Sequence, residues 1–289
     1  MTLQQAYIKG KELLCNKSVL DADIDAWYLL EYITGVSRSS YYGNPFKEIT
    51  EEEADRYFDA VNKRGMHIPL QHITGEQDFY GLTFKVNEHV LVPRQDTEVL
   101  VEEVLSVIKG KITSKNPKVL DMCTGSGCIL LSTLKYADKK CTGLGADISK
   151  DALNVACYNK DNLKIDAEFV LSDVFENING RWDVIVSNPP YIRSDVIPTL
   201  SEEVKDHDPL IALDGKEDGL YFYRKIVKES VDYISDGGYL MFEIGHDQGE
   251  DVKNLMENAG YSHVYVKKDL AGLDRIVAGV YYHMGDNPE

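Results

Sequence analysis

From residue 118 onward the chain alternates short apolar runs with amphipathic helical stretches, and that alternation limits the folds open to it more than any other feature. Runs of strand character fall at 118–122, 141–147, 167–171, 182–187 and 238–244, with helical segments such as 127–136 and 149–160 between them. Such spacing predicts parallel βαβ units and a doubly wound sheet, because parallel neighbours need a crossover long enough to hold a helix. Two further runs, 262–267 and 276–282, are separated by little more than Asp269-Leu270-Ala271-Gly272-Leu273-Asp274. That stretch is too short for a crossover helix, so these two should pair as an antiparallel hairpin at the sheet edge.

The residues before 76 read differently. Thr50 with Glu53 forms a capping box, Ala54, Tyr57, Phe58 and Val61 recur at helical spacing, and Gly65 is expected to close the run as a C′ residue. A second helix should begin at Asp21 or Asp23 and run past Trp27 and Tyr28 to Gly35, and 3–14 forms a weaker third. Residues 78–92, aromatic and β-branched around Gly81 and Asn87-Glu88, suit a β-hairpin. The expected organisation is therefore a small all-α domain over 1–75, a β-hairpin linker over 76–92 and an α/β domain over 93–289.

Charge narrows the partners. The 31 basic and 48 acidic residues leave a net charge of −17, which repels phosphate backbones and argues against direct nucleic-acid binding through broad charge attraction. The first residues lack the apolar core of a signal peptide, and no run approaches the ~18 apolar residues of a membrane span, so a cytoplasmic protein without membrane contact is expected. Five scattered cysteines without a CxxC pair, and histidines without an HxxxH spacing, predict reduced thiols and no metal site.

Two constellations carry chemistry. The strand ending at Asp121 runs into Cys123-Thr124-Gly125-Ser126-Gly127 and then a helix, so glycines allow close backbone approach and helix N–H groups face the ligand. Asp147 ends the next strand, placed to accept both hydroxyls of a ribose, and Ser172-Asp173-Val174-Phe175 follows the third, placed beside a base. A dinucleotide fingerprint would need glycine or alanine at 130, where Leu130 stands, which favours S-adenosyl-L-methionine as cofactor. Five parallel strands closed by a hairpin also suggest a class I methyltransferase sheet, Rossmann-like and seven-stranded, more than a dehydrogenase.

The second constellation is Asn188-Pro189-Pro190-Tyr191 at the end of the fourth strand. The prolines remove two donors and fix φ, holding the Asn188 carboxamide and the Pro189 carbonyl as stiff acceptors for both hydrogens of an –NH2 group. Tyr191 offers a ring face to a planar amide or base. Accepting both N–H groups aims the nitrogen lone pair at a methyl donor, a positioning effect that needs no strong base. The motif specifies a planar amine or amide acceptor without saying which.

With these motifs the sequence resembles the HemK/PrmC family, the peptide chain release factor glutamine-N(5) methyltransferases. Pro69-Leu70-Gln71-His72-Ile73-Thr74-Gly75, Phe79-Tyr80-Gly81-Leu82, Leu91-Val92-Pro93-Arg94-Gln95-Asp96-Thr97-Glu98, Glu243-Ile244-Gly245 with Gln248, Asp269-Leu270-Ala271-Gly272 and Asp274-Arg275 carry the likeness beyond Asn-Pro-Pro-Tyr. The resemblance implies a helical domain that helps hold a class-1 peptide chain release factor and a catalytic domain that methylates the glutamine of its Gly-Gly-Gln motif. It places the cofactor on Cys123, Thr124, Gly125, Ser126, Gly127, Asp147, Asp173, Val174 and Asn188. The substrate glutamine falls on Asn188, Pro189, Pro190 and Tyr191, with Asn188, Pro189 and Tyr191 as the catalytic set, and a monomer is expected.

Two departures stand out. Cys123 occupies a position that is more often glycine and needs a negative φ to fit, and Gln95-Asp96 replaces a proline-acid pair. Arg94 and Glu98 suit either an interdomain ion pair or the cofactor's edge. Competing readings are a methyltransferase for an exocyclic amine of adenine or guanine, a ribosomal-protein glutamine methyltransferase, and a non-catalytic module that binds the release factor or the cofactor.

Overall fold

The computed structural model describes residues 1–283, which divide into two compact units: Met1–Glu76 with Ser201–His207, and Gln77–Leu200 with Asp208 onward. The first unit carries α1 (Leu3–Asn16), α2 (Ala22–Thr34), α3 (Arg38–Gly43), α4 (Glu51–Arg64) and α5 (Leu70–Thr74). Capping boxes start α1 at Thr2/Gln5 and α4 at Thr50/Glu53, each satisfying two of the amides that a helix start leaves open. Leu3, Leu14, Trp27, Leu29, Leu30, Tyr57 and Val61 form its core. Gly65 does end α4, but with φ −66° instead of the expected left-handed turn; a side chain there would crowd the Lys17 stem 3.2 Å away.

In chain order a hairpin follows, β1 (Glu76–Phe79) and β2 (Leu82–Lys85). Tyr80 and Gly81 both have positive φ, 50° and 73°, the signature of a two-residue turn that matches strand twist. The hairpin stops at Lys85, short of the expected 92: Val86 and Val90 are buried against Ala152 and Val155, so this stretch gains burial without strand pairing.

The rest of the second unit runs α6 (Glu98–Gly110), β3 (Lys118–Met122), α7 (Cys128–Tyr136), β4 (Thr142–Asp147), α8 (Lys150–Leu163), β5 (Glu168–Leu171) and β6 (Trp182–Ser187). After α9 (Glu202–His207), which packs in the first unit, come α10 (Leu210–Leu213), α11 (Tyr221–Ser230), β7 (Ile234–Glu243), α12 (Gly249–Asn258), β8 (Ser262–Lys268) and β9 (Asp274–Tyr281). The sheet order is β5-β4-β3-β6-β7-β9-β8, parallel through β7, with β9 antiparallel to both neighbours. This is the seven-stranded sheet with a terminal hairpin expected from the sequence.

Apolar residues on both faces explain why the central strands read as continuous apolar runs. Val119, Val184 and Val186 pack with Leu100, Val104 and Ile129 of α6 and α7, while Leu120 and Ile185 pack with Tyr223 and Met256 of α11 and α12. Order reverses between β3 and β6, which opens a crevice at their carboxyl ends.

Candidate active site

That crevice holds a cavity of about 350 Å³, within the range of small-molecule sites. Its wall includes Cys123, Thr124, Gly125, Ser126, Asp147, Asp173, Val174, Asn188 and Pro190 from the two constellations. Gly127, Pro189 and Tyr191 are not on it. Gly127 caps α7 from behind the loop, facing Phe169 and Leu131, and Tyr191 packs toward Tyr223 and Phe242.

The loop after β3 is fastened at several points. The Thr124 hydroxyl donates to Asp121 at 2.6 Å, its amide donates to the Ala146 carbonyl at 3.0 Å, and the Gly125 amide donates to the Asp147 carboxylate at 2.9 Å. Buried Asn159 of α8 donates to the Ser126 carbonyl at 2.9 Å and to the Lys85 carbonyl at 3.0 Å, tying the loop to β2. Nothing in the local sequence marked Asn159 as a loop anchor. Gly125 has φ +54°, and a Cβ there would meet nothing within 4 Å, so its backbone borders open space that a ligand can approach.

Cys123 corrects the expectation drawn from its side chain. Its φ is +60°, not negative, in a region that costs a non-glycine residue roughly 1–2 kcal/mol. Val174 is also left-handed, φ +51°, a rarer conformation for a β-branched residue, and the Ser172 hydroxyl donates to its carbonyl at 2.7 Å. Both strained residues line the same cavity, which is where such strain concentrates.

Asp147 presents a carboxylate whose two oxygens each accept one backbone N–H, from Gly125 at 2.9 Å and Ser149 at 2.8 Å. Each oxygen keeps a lone pair for a ligand hydroxyl. Burial raises its pKa above the ordinary carboxylate value, against the pull of those amides. A diol ligand donating to the carboxylate stabilises the charged form, so binding should be strong above the Asp147 pKa and weaken as pH falls through it. Asp173 has an ion-pair partner the sequence did not suggest, Lys225 at 2.7 Å.

Asn188 follows β6, and the turn after it is clamped. The Tyr191 carbonyl accepts Gln248 Nε2 at 3.1 Å, and Ile192 exchanges backbone bonds with Leu213 and Gly215. A Cβ on Gly219 would lie 2.4 Å from the Tyr191 carbonyl oxygen, so only glycine permits this approach. Ser187 donates to the Met122 carbonyl at 2.6 Å, locking the ends of β6 and β3 together. Arg94 and Glu98 do not pair with each other: Arg94 meets Asp208 at 2.9 Å, and Glu98 accepts the Tyr80 amide at 2.8 Å. Asp96 pairs with Arg275 at 3.1 Å. Among the described residues no cluster of His, Cys, Asp and Glu is arranged for a metal ion, and no helix is long and apolar enough to cross a membrane.

Comparison with known proteins agrees with this geometry. The family described as PrmC N-terminal domain matches residues 5–75, and the one described as methyltransferase small domain matches 95–203. Among solved structures, a methyltransferase from Pyrococcus furiosus superposes with a TM-score of 0.53 at 17% identity over 71% of this chain and 91% of that one. The hMettl16 catalytic domain, in complex with the MAT2A 3′UTR hairpin 6, gives 0.57 at 15% identity over 83% and 85%. At those identities the likeness establishes the fold alone, that of class I methyltransferases. Sequence relatives are much nearer. Release factor glutamine methyltransferases from Clostridium acetobutylicum and Agrobacterium fabrum are 41% and 37% identical, covering 97% and 96% of this chain and 99% and 96% of their own lengths. The chain belongs to the release factor glutamine methyltransferase family.

Proposed function

We propose that this protein transfers a methyl group from S-adenosyl-L-methionine to the side-chain amide nitrogen of the glutamine in the Gly-Gly-Gln motif of class-1 peptide chain release factors. The observation that carries the reading is one cavity bordered by the glycine loop with Asp147 and by Asn188 and Pro190 of the Asn188-Pro189-Pro190-Tyr191 turn. The residues fit the cofactor: Gly125 leaves room at the backbone, and Asp147 keeps lone pairs for ribose hydroxyls. When bound, the cofactor supplies an electrophilic methyl on a sulfonium.

The chain's own residues then act by orientation. A glutamine amide is a weak nucleophile because its lone pair is delocalised. The Asn188 carboxamide and the Pro189 carbonyl accept its two N–H groups, raise electron density on nitrogen and point the lone pair into the cavity. Tyr191 packs beside the planar amide. The helical unit docks the release factor, the protein acts as a monomer, and its free thiols suit the reducing cytoplasm. A net charge of −17 disfavours a nucleic-acid substrate.

Mass spectrometry of a release factor incubated with enzyme and cofactor should show one added methyl on the Gly-Gly-Gln glutamine. Methylation of a nucleobase or of another protein, with that glutamine unmodified at enzyme excess, would overturn the assignment. In calorimetry, Asp147→Ala should weaken cofactor binding by about 1.5–3 kcal/mol, the loss of hydrogen bonds to an ionised carboxylate. Unchanged affinity would remove Asp147 from the site.

A further inference from the structure

Glu243 ends β7 next to the substrate turn and is only 3% exposed. Ser187 and Phe242 are partners in the β6–β7 ladder, so the residues that follow them, Asn188 and Glu243, are neighbours at the carboxyl edge of the sheet. The side chains of Thr97 and Asn188 lie close enough to the Glu243 carboxyl to favour its charged form, while its Oε2 atom has no hydrogen-bond partner. The charged groups facing it are Arg275 from β9 and Asp96 from the turn before α6, with the Tyr191 and Tyr223 phenols and the Cys128 thiol also near. Arg275 is shared between Asp96 at 3.1 Å and Asp269 at 3.0 Å, so no cation is dedicated to Glu243.

A buried carboxyl with no cation of its own is costly to keep ionised unless hydrogen-bond donors meet it. An ionised carboxylate only accepts hydrogen bonds, so Asn188 can meet it through its –NH2 group and not through its carbonyl oxygen. We propose that Glu243 is a positioning residue that holds the Asn188 carboxamide with its oxygen turned toward the substrate amide. A neutral carboxylic acid loses this discrimination, since its O–H can donate to the Asn188 oxygen and turn the carboxamide over. Burial pushes the Glu243 carboxyl up to about 7, so the switch between the two orientations falls near neutrality. Turnover should therefore be full above that value and fall below it.

The inference rests on the proposed function, and the experiment separates the two. Turnover on a release factor is measured against pH at saturating cofactor for the wild type and Glu243→Gln, with cofactor affinity and thermal unfolding followed in parallel. Saturation matters because Asp121, a second buried carboxyl pushed up to about 7, lies beneath the glycine loop and would act through cofactor binding. We expect the wild type to lose turnover on the acid side near pH 7. Glu243→Gln should be roughly 10–100-fold slower at high pH, the size of a misorientation effect, with no acid limb and unaltered cofactor affinity. Wild-type turnover in Glu243→Gln, or an acid limb that persists in it, overturns the role. Should that variant not fold, the residual activity of Asn188→Ala serves instead: its acid limb must vanish, and a limb that persists is fatal to the proposal. A wild type that leaves the Gly-Gly-Gln glutamine unmethylated overturns the function itself, whereas methylation with an unmoved acid limb overturns only the part assigned to Glu243.

Discussion

Replacing Asn188 with alanine should cut turnover on a release factor by about 10²–10³, the usual loss when one preorganised hydrogen-bonding group is removed from the reacting centre. The size follows from how rigidly the group is held. Ser187 ties the end of β6 to β3, two prolines fix the backbone just after Asn188, and Gln248 grips the Tyr191 carbonyl. An acceptor held this way has little reorganisation to undergo when the substrate arrives, so its loss appears in turnover more than in substrate binding. The substitution also takes a polar neighbour from buried Glu243, so stability must be measured alongside. Calorimetry of S-adenosyl-L-methionine binding separates chemistry from cofactor affinity, because Asn188 borders the cavity as well. Turnover within twofold of wild type would remove Asn188 from the reacting centre.

What could be read from the sequence follows how local each signal is. β3 and β6 fall where their apolar runs placed them, because residues buried on both faces leave an uninterrupted pattern. β7 starts at Ile234, earlier than the expected 238, since Ser235-Asp236-Gly237 reads as a turn although Trp182 pairs with Ile234 across a register shift. That the glycine loop, Asp147 and Asn188 meet at one cavity was legible because all three sit at strand ends. Asn159 and Gly219 were not: the first acts by reaching back to a loop from a helix, and the second by yielding space to a carbonyl 28 residues earlier in the chain. Left-handed Cys123 shows the same limit, since backbone strain held by surrounding structure leaves no trace in residue type. The placement of Ser201–His207 in the helical unit has no periodicity to announce it either; among the contacts that join it is an ion pair between residues 139 positions apart.

That ion pair sets the second large effect, an expected loss of about 3–5 kcal/mol from the helical unit in Arg64→Ala. Arg64 donates through Nε to Asp25 at 2.6 Å, through Nη2 to Glu203 at 2.7 Å and through Nη1 to the Ile68 carbonyl at 3.1 Å. The Arg64 and Asp25 side chains are each 8% exposed, so deleting the guanidinium strands a carboxylate away from water. The chain's two tryptophans make the measurement selective: Trp27 lies in the helical core and Trp182 in the sheet unit. With Trp182→Phe as background, urea unfolding followed by Trp27 fluorescence reports the helical unit alone. A loss below about 1 kcal/mol would mean that water already reaches the pair. Replacing Asp25, Arg64 and Glu203 together with apolar residues should restore most of the stability, because the penalty lies in the unpaired charge and not in the pair's net worth. Function adds a further discrimination. If the helical unit docks the release factor, Arg64→Ala should slow methylation of the intact factor at temperatures where that unit is unfolded while leaving cofactor affinity unchanged; equal methylation under those conditions would separate docking from the helices.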